Sequence, residues 1–99
     1  ELNYILLNYN KITIVPATLL NDNRNVTHID LSYNLMTNLT LNMLENQEQL
    51  IYIDFSHNKI ISVPDQLFSK QEKLQYIDFS HNEITYISNG TITKQLGYN

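Results

Sequence analysis

The sequence predicts a repeat solenoid of the α/β type, mostly β, in which four copies of one unit lie side by side. Three observations predict it: a fixed period, a shared apolar frame, and strand-like alternation inside each copy. An asparagine recurs every 24 residues without insertion or deletion, at Asn10, Asn34, Asn58 and Asn82. A fixed period of this size is typical of solenoids, in which each repeat packs only against its neighbours.

The apolar frame around each asparagine is the same in all four copies. It reads L-x-x-L-x-L-x-x-N-x-L, so the chain resembles the leucine-rich repeat family over residues 2–97. We divide the single domain, residues 1–99, into repeats 2–25, 26–49, 50–73 and 74–97. The frame residues are Leu2, Ile5, Leu7 and Ile12, then Val26, Ile29, Leu31 and Met36, then Leu50, Ile53, Phe55 and Ile60, then Leu74, Ile77, Phe79 and Ile84.

Alternation inside the frame indicates a short strand in each repeat. Ile53 and Phe55 should point into the core, while Tyr52, Asp54 and Ser56 should lie on the other face. Successive strands should pair in parallel, about 4.8 Å apart. The resemblance implies that this parallel sheet lines the concave side of an arc and that irregular turns form the convex side.

The outer half of the repeat indicates a subtype. Val15-Pro16 and Val63-Pro64 each begin a V-P-x-x-L-[LF] segment, and proline suits an irregular turn because it lacks an N–H group. With the 24-residue period, this segment resembles the "typical" extracellular subtype, as in Toll-like receptor ectodomains and insect leucine-rich immune proteins. The family usually has a further leucine where this chain has Asn23, Gln47, Gln71 and Gln95, so we expect a looser convex side.

The repeated asparagines have a structural interpretation. Each follows a predicted strand, where the chain turns and backbone groups lose their ladder partners. A carboxamide both donates and accepts hydrogen bonds, so it can satisfy those groups. We therefore assign a structural ladder to Asn10, Asn34, Asn58 and Asn82.

The exposed face of the predicted sheet consists of columns, because equal offsets in successive repeats lie side by side across the strands. The columns are Tyr4, His28, Tyr52 and Tyr76, then Leu6, Asp30, Asp54 and Asp78, then Asn8, Ser32, Ser56 and Ser80, then Tyr9, Tyr33, His57 and His81. The candidate protein-binding surface consists of ten of these residues: Tyr4, His28, Tyr52, Tyr76, Asp30, Asp54, Asp78, Tyr33, His57 and His81. Exposed aromatic side chains are enriched at interfaces, but mutual stacking across the strands would also explain them.

The acidic column has three open interpretations. Like charges about 5 Å apart repel by roughly 1 kcal/mol per pair in water, so something should offset them. The neighbouring serines could donate hydrogen bonds, a partner's lysine or arginine could bind, or a calcium ion could, although calcium needs six or more oxygens. In the last column, His57 and His81 could sense pH between about 5 and 7, or be ordinary surface histidines.

Three N-x-[ST] sequons, at Asn25, Asn38 and Asn89, are candidate N-glycosylation sites if the chain is secreted. The chain has no cysteine, which excludes disulfides and thiolate metal sites. Extracellular members of the family usually close both ends with cysteine-bearing caps. We therefore expect a fragment of a longer solenoid, and a capless cytosolic repeat protein is the alternative.

The formal net charge of −4 argues against a nucleic-acid or anionic-membrane partner, since both favour a basic face. No apolar run approaches the roughly 18 residues of a membrane span, so we expect no membrane insertion. We expect no cofactor and no metal. Histidine, serine and aspartate recur here as columns, not as one focused pocket, so we expect no enzyme.

We conclude that the sequence predicts a protein-binding module. The resemblance implies an extracellular or secreted recognition segment of an innate-immune glycoprotein, with a protein ligand or co-receptor as partner. The alternative is an adhesion or scaffold segment that self-associates through uncapped ends.

Overall fold

The computed structural model describes residues 3–85 and residue 87. Within these residues lie four strands and no helix: β1 is Tyr4–Leu6, β2 is His28–Asp30, β3 is Tyr52–Asp54 and β4 is Tyr76–Asp78. They form one parallel sheet in the order β1-β2-β3-β4. The predicted solenoid with one parallel strand per repeat is confirmed.

The strands pair without a shift in register from one repeat to the next. Ile5, Ile29, Ile53 and Ile77 lie directly opposite one another across the sheet. A shift of one residue would turn each apolar side chain to the other face, so the buried frame holds this register. The register is the structural counterpart of the strict 24-residue period.

The core lies between the sheet and the convex turns. Ile53 and Phe55 of the third repeat are fully buried, and so are the outer anchors Met43, Leu44 and Phe68. The Phe55 ring stacks on the Phe79 ring with centroids 5.1 Å apart. Burial of a large apolar side chain stabilises the fold by about 1.5–3 kcal/mol, so this continuous core is the main force that joins the repeats.

The repeated asparagines bond each repeat to the one before it. Oδ1 of Asn58 accepts a hydrogen bond from the N–H of Met36, at 3.0 Å. Its Nδ2 donates to the carbonyl oxygens of Leu31 and Phe55, both at 3.0 Å. Asn34 and Asn82 make the same set of contacts one repeat earlier and one repeat later.

The convex side consists of turns, and it is tighter than we expected at two positions. Gln47 and Gln71, which stand where the family usually has leucine, are each only 1% exposed. Nε2 of Gln71 donates to the carbonyl oxygen of Leu44 at 2.6 Å, and Nε2 of Gln47 donates to that of Leu20 at 2.5 Å. The expectation of a looser convex side is therefore wrong at these positions, because the amides fill the leucine position and bond the preceding repeat. Asn23 is exposed, and Gln95 lies outside the described residues.

Candidate functional site: the concave sheet face

The first aromatic column is a continuous stack across all four strands. The Tyr4 and His28 rings lie 4.5 Å apart, His28 and Tyr52 5.4 Å, and Tyr52 and Tyr76 4.4 Å. The rings are within 25° of parallel, so their faces cover one another. Tyr4 and Tyr76 remain 54% and 44% exposed, so the surface of this column consists mainly of ring edges and hydroxyls.

The second aromatic column runs beside the turns that follow the strands. Tyr9 and Tyr33 have ring centroids 4.3 Å apart, Tyr33 and His57 4.1 Å, and His57 and His81 4.2 Å. All four residues have left-handed backbones, with φ values of 56–59°. This conformation costs a non-glycine residue about 1–2 kcal/mol. The surrounding bonds maintain it: the N–H of His57, for example, donates to the carbonyl oxygen of Ser80 at 3.0 Å.

The acidic column lies between the two aromatic columns. Asp30, Asp54 and Asp78 are directly paired across neighbouring strands. In each, Oδ1 accepts the backbone N–H of the serine two residues later, at 2.8–2.9 Å. These bonds fix the carboxylates and offset part of their mutual repulsion.

Two serines that we expected on the concave face, Ser32 and Ser56, are buried. Ser32 and Ser56 are each 5% exposed and therefore do not form an open column on the concave face. The strands end at the preceding aspartates, and the chain then turns, which carries the serines beneath the surface. Ser32 Oγ donates to Asp30 Oδ1 at 2.6 Å, so at this aspartate a serine hydroxyl does offset the charge.

Charges and burial shift the pKa of several side chains on this surface. Burial raises the pKa of Tyr76 to about 12, with a further contribution from the adjacent Asp78 carboxylate. Burial and the Asp54 charge also raise the pKa of Tyr52. Burial acts to raise the pKa of Asp78, but hydrogen bonds from Ser80 and Tyr76 and the neighbouring His57 outweigh it and lower that pKa. At Tyr76 and Asp78 the shifts favour a neutral phenol beside an ionised carboxylate.

The described residues provide no arranged metal site. In residues 3–85 and 87, no group of three or more histidine, aspartate or glutamate side chains is placed to hold a metal ion. The calcium interpretation of the acidic column therefore gains no geometric support. The same part of the chain has no helix long and apolar enough to span a membrane.

Two of the three candidate glycosylation residues are described, and both lie outside the four strands. Asn25 and Asn38 are both exposed. Thr27 of the first sequon is buried, and its hydroxyl bonds Asn3 and lies 2.9 Å from Nδ1 of His28. Asn89 lies outside the described residues.

Sequence reasoning missed three features of this surface. It did not predict the left-handed backbone of the second column, the buried serines, or the extent of ring stacking. A signal existed for the first feature alone: an aromatic residue or histidine precedes the asparagine in all four repeats, at Tyr9, Tyr33, His57 and His81.

Comparisons with known proteins agree with this geometry. A sequence model described as leucine rich repeat matches residues 1–60 and 48–94. No curated protein sequence matches significantly. Among solved structures, TLR13 in the TLR13–ssRNA13 complex aligns with a TM-score of 0.82 at 24% identity, over 89% of this chain and 13% of that one.

Two further structures are similar. The leucine-rich repeat domain of APL1B aligns with a TM-score of 0.84 at 21% identity, over 90% of this chain and 26% of that one. A leucine-rich repeat protein from Bacteroides thetaiotaomicron aligns with a TM-score of 0.81 at 28% identity, over 94% of this chain and 12% of that one. The chain thus spans about a quarter or less of the length of each. By its matched sequence, its 24-residue period and its asparagine-linked parallel sheet, the chain belongs to the leucine-rich repeat family.

Proposed function

We propose that this chain is a non-enzymatic, extracellular recognition segment whose concave face binds a protein ligand or co-receptor. One observation carries the proposal: two columns of stacked rings flank a row of carboxylates on an open sheet. Tyrosine is enriched at protein interfaces because its ring supplies rigid apolar area and its hydroxyl a polar tip. Since the rings are already stacked, binding would order few additional side chains.

The arrangement of the rings favours a protein partner. Their faces are covered by neighbouring rings, so a ligand would meet edges and hydroxyls. The raised pKa of Tyr52 is consistent with a protonated hydroxyl that can donate a hydrogen bond to a ligand, whereas the Tyr76 hydroxyl already donates to Asp78 Oδ2 at 3.1 Å. An open surface of this kind suits a broad protein interface better than a small substrate, which needs an enclosing pocket.

The place of the chain in a larger protein belongs to the same proposal. The likeness to TLR13 and to the leucine-rich repeat domain of APL1B supports an innate-immune protein of the Toll-like or insect leucine-rich type. Because the chain spans only 12–26% of the matched chains, we propose that its four repeats are one segment of a longer solenoid.

A nucleic-acid partner is the less favoured class. The TLR13 structure is a complex with ssRNA13, but this chain has a net charge of −4 and an acidic column on its concave face. Binding a phosphate backbone depends on lysine and arginine contacts. We therefore retain the expectation that the partner is a protein.

Photo-cross-linking tests the proposed surface. A photoreactive phenylalanine analogue replaces Tyr76 on the concave face or, as a control, the exposed Glu72 outside the sheet. In the extracellular fluid of the source, Tyr76 should give a discrete cross-linked protein and Glu72 should not. A Tyr52→Ser change in the same chain should abolish that product, whereas Tyr52→Phe, which keeps the stack, should preserve most of it. Equal cross-linking from both positions would refute the proposal.

Two measurements test the remaining parts. Intact-mass analysis of the native protein, with and without glycosidase, should detect sugar on a sequon such as Asn25 or Asn38. A protein without sugar and confined to the cytosol would contradict the extracellular assignment. Sedimentation at several concentrations distinguishes recognition from self-association: a constant mass supports recognition, and a mass that rises with concentration supports the scaffold alternative.

A further inference from the structure

We infer that the partner presents a helix with arginine or lysine side chains one turn apart, and that its central cation binds at Asp54. This inference rests on the proposed function, and it names the chemistry of the partner at the same surface. Four features of the concave face carry it: free carboxylate oxygens, an unused buried hydroxyl, the absence of a paired lysine or arginine among the described residues, and the spacing of the column.

The carboxylates use only part of their hydrogen-bonding capacity within the chain. Asp30 and Asp54 each accept an N–H through Oδ1, while Oδ2 of each accepts no hydrogen bond from residues 3–85 or 87. In Asp78, Oδ2 accepts the Tyr76 hydroxyl at 3.1 Å. In the central carboxylate, Asp54, the hydrogen bond to Oδ1 therefore fixes the group, and Oδ2 remains free to accept a hydrogen bond from a partner.

The turn after Asp54 contains a second unused group. Ser56 is 5% exposed, and its Oγ has no hydrogen-bond partner in the described part of the chain. Its counterpart Ser32 donates its hydroxyl to Asp30 at 2.6 Å. A buried polar atom normally has a partner. Because the N–H of Ser56 donates to Asp54 Oδ1 at 2.8 Å, its hydroxyl belongs to the turn that holds the carboxylate an ammonium or guanidinium group would bind.

No lysine or arginine pairs with the acidic column in the residues described, although His57 lies near Asp78. The ion pair found there joins Lys70 to Glu45 at 3.8 Å, and Lys73 bonds Gln49 at 2.6 Å. These four residues lie outside the strands. The carboxylates are thus left with hydrogen bonds and neighbouring aromatic rings, and a cationic partner would complement them.

The spacing of the column favours a helical partner. Adjacent rings in the flanking columns lie 4.1–5.4 Å apart, and neighbouring parallel strands lie about 4.8 Å apart. Two strand steps, from Asp30 to Asp78, therefore span about 9.6 Å. Two turns of a helix rise about 10.8 Å, whereas every second residue of an extended chain would span about 13.6 Å. The helix therefore matches the spacing of the aspartates better than the extended chain does, and the flexible stems of lysine and arginine can compensate for the remaining difference.

The flanking columns suit such side chains. Tyr52 lies two residues before the central aspartate in its strand, and the Tyr33 and His57 rings of the other column stack with centroids 4.1 Å apart. The methylene stem of a lysine or arginine would lie against the ring edges while its charged head reaches the carboxylate.

A designed peptide tests the inference directly. The probe is an alanine-rich helix with three arginines one turn apart on one face, and its binding to the whole chain is measured by fluorescence anisotropy. We expect binding that weakens as salt rises from about 50 to 200 mM, because exposed charges are screened. Asp54→Asn should weaken binding about tenfold or more, although the asparagine can still accept the Ser56 N–H. Asp22→Asn makes the same charge change at an exposed residue outside the sheet and should leave affinity within about twofold.

Three outcomes would overturn the inference: no binding of the arginine helix at low salt, equal binding by the Asp54→Asn chain, or equal binding of the same helix with glutamate in place of arginine. Equal binding of an extended peptide with alternating arginines would overturn its helical part. None of these results bears on the cross-links from Tyr76, so the inference can fail while the proposed function stands.

Discussion

The backbone N–H of Met36 donates a hydrogen bond of 3.0 Å to Oδ1 of Asn58, a residue 22 positions later and in the next repeat. The same carboxamide donates to Leu31 in the earlier repeat and to Phe55 in its own. One side chain therefore joins two turns that no strand ladder reaches. An insertion between the strand and the asparagine-containing turn of either repeat would separate these partners, so the bonds hold that segment of the repeat at a fixed length.

Replacing Asn58 with alanine should destabilise the fold by about 1–3 kcal/mol, because buried backbone groups lose their partners. Asn10→Ala is the matched control, since Asn10 makes two exposed hydrogen bonds within its own turn. Urea denaturation of both variants measures the difference. Equal losses of stability would show that the contacts between repeats contribute little.

Replacing Gln71 with glutamate should destabilise the fold more than replacing it with leucine. Glutamate removes the donor to the Leu44 carbonyl and places a charge in a site that is 1% exposed. Leucine also loses that bond, at about 1–3 kcal/mol, but it gains apolar burial. Thermal unfolding compares the two, with Gln75→Glu as an exposed control that should change stability by about 0.5 kcal/mol or less. A leucine variant less stable than the glutamate variant would contradict the packing described.

Replacing His57 with valine should cost more stability than replacing it with asparagine. Both changes remove the ring from the stack, but the backbone at this position has a φ of 56°. Asparagine tolerates the left-handed region and a β-branched residue does not, so we expect a difference of about 1–2 kcal/mol. Chemical denaturation of both variants in the same buffer measures it. Variants of equal stability would mean that the strain is absent.

The stability of the chain should fall at acid pH partly through Asp78. The ordinary pKa of this carboxyl is 3.8 and the folded chain lowers it. Below that value the unfolded state binds more protons than the folded state, so stability is present above pH 3.8 and is lost as the pH falls through the lower, folded pKa. Asp78→Asn should flatten this part of the pH profile, compared with the wild type and with Asp22→Asn. Parallel profiles for all three chains would contradict the prediction.

Much of the fold could be predicted from particular residues. The frame positions, such as Ile53 and Phe55, predicted the strands and their buried face, because strand periodicity places alternate side chains on opposite sides. The constant offset predicted the columns as well, because parallel strands in register place equal positions side by side. The concave residues proposed for binding therefore lie on one face, although their role in binding remains a proposal.

The sequence could not predict features that depend on how one repeat contacts the next. Gln71 is polar and was expected to loosen the convex side, yet it is buried because a carbonyl of the preceding repeat lies within reach of its amide. Ser56 was expected on the surface, but the turn after Asp54 carries it below. The polarity of a residue predicts that it is exposed only where no hydrogen-bond partner is within its reach in the protein interior.

By itself, the sequence determined the repeat, the strand positions, the buried frame and the acidic character of one column, since each follows from local periodicity and charge. Only the tertiary structure decided which polar groups are satisfied inside, that the aromatic rings stack face to face, and that Asp54 uses one carboxylate oxygen to hold the turn at Ser56 and leaves the other free. The physical reason is that hydrogen bonds and ring contacts depend on distances of a few ångströms between residues in different repeats. Those distances exist only once the repeats have packed.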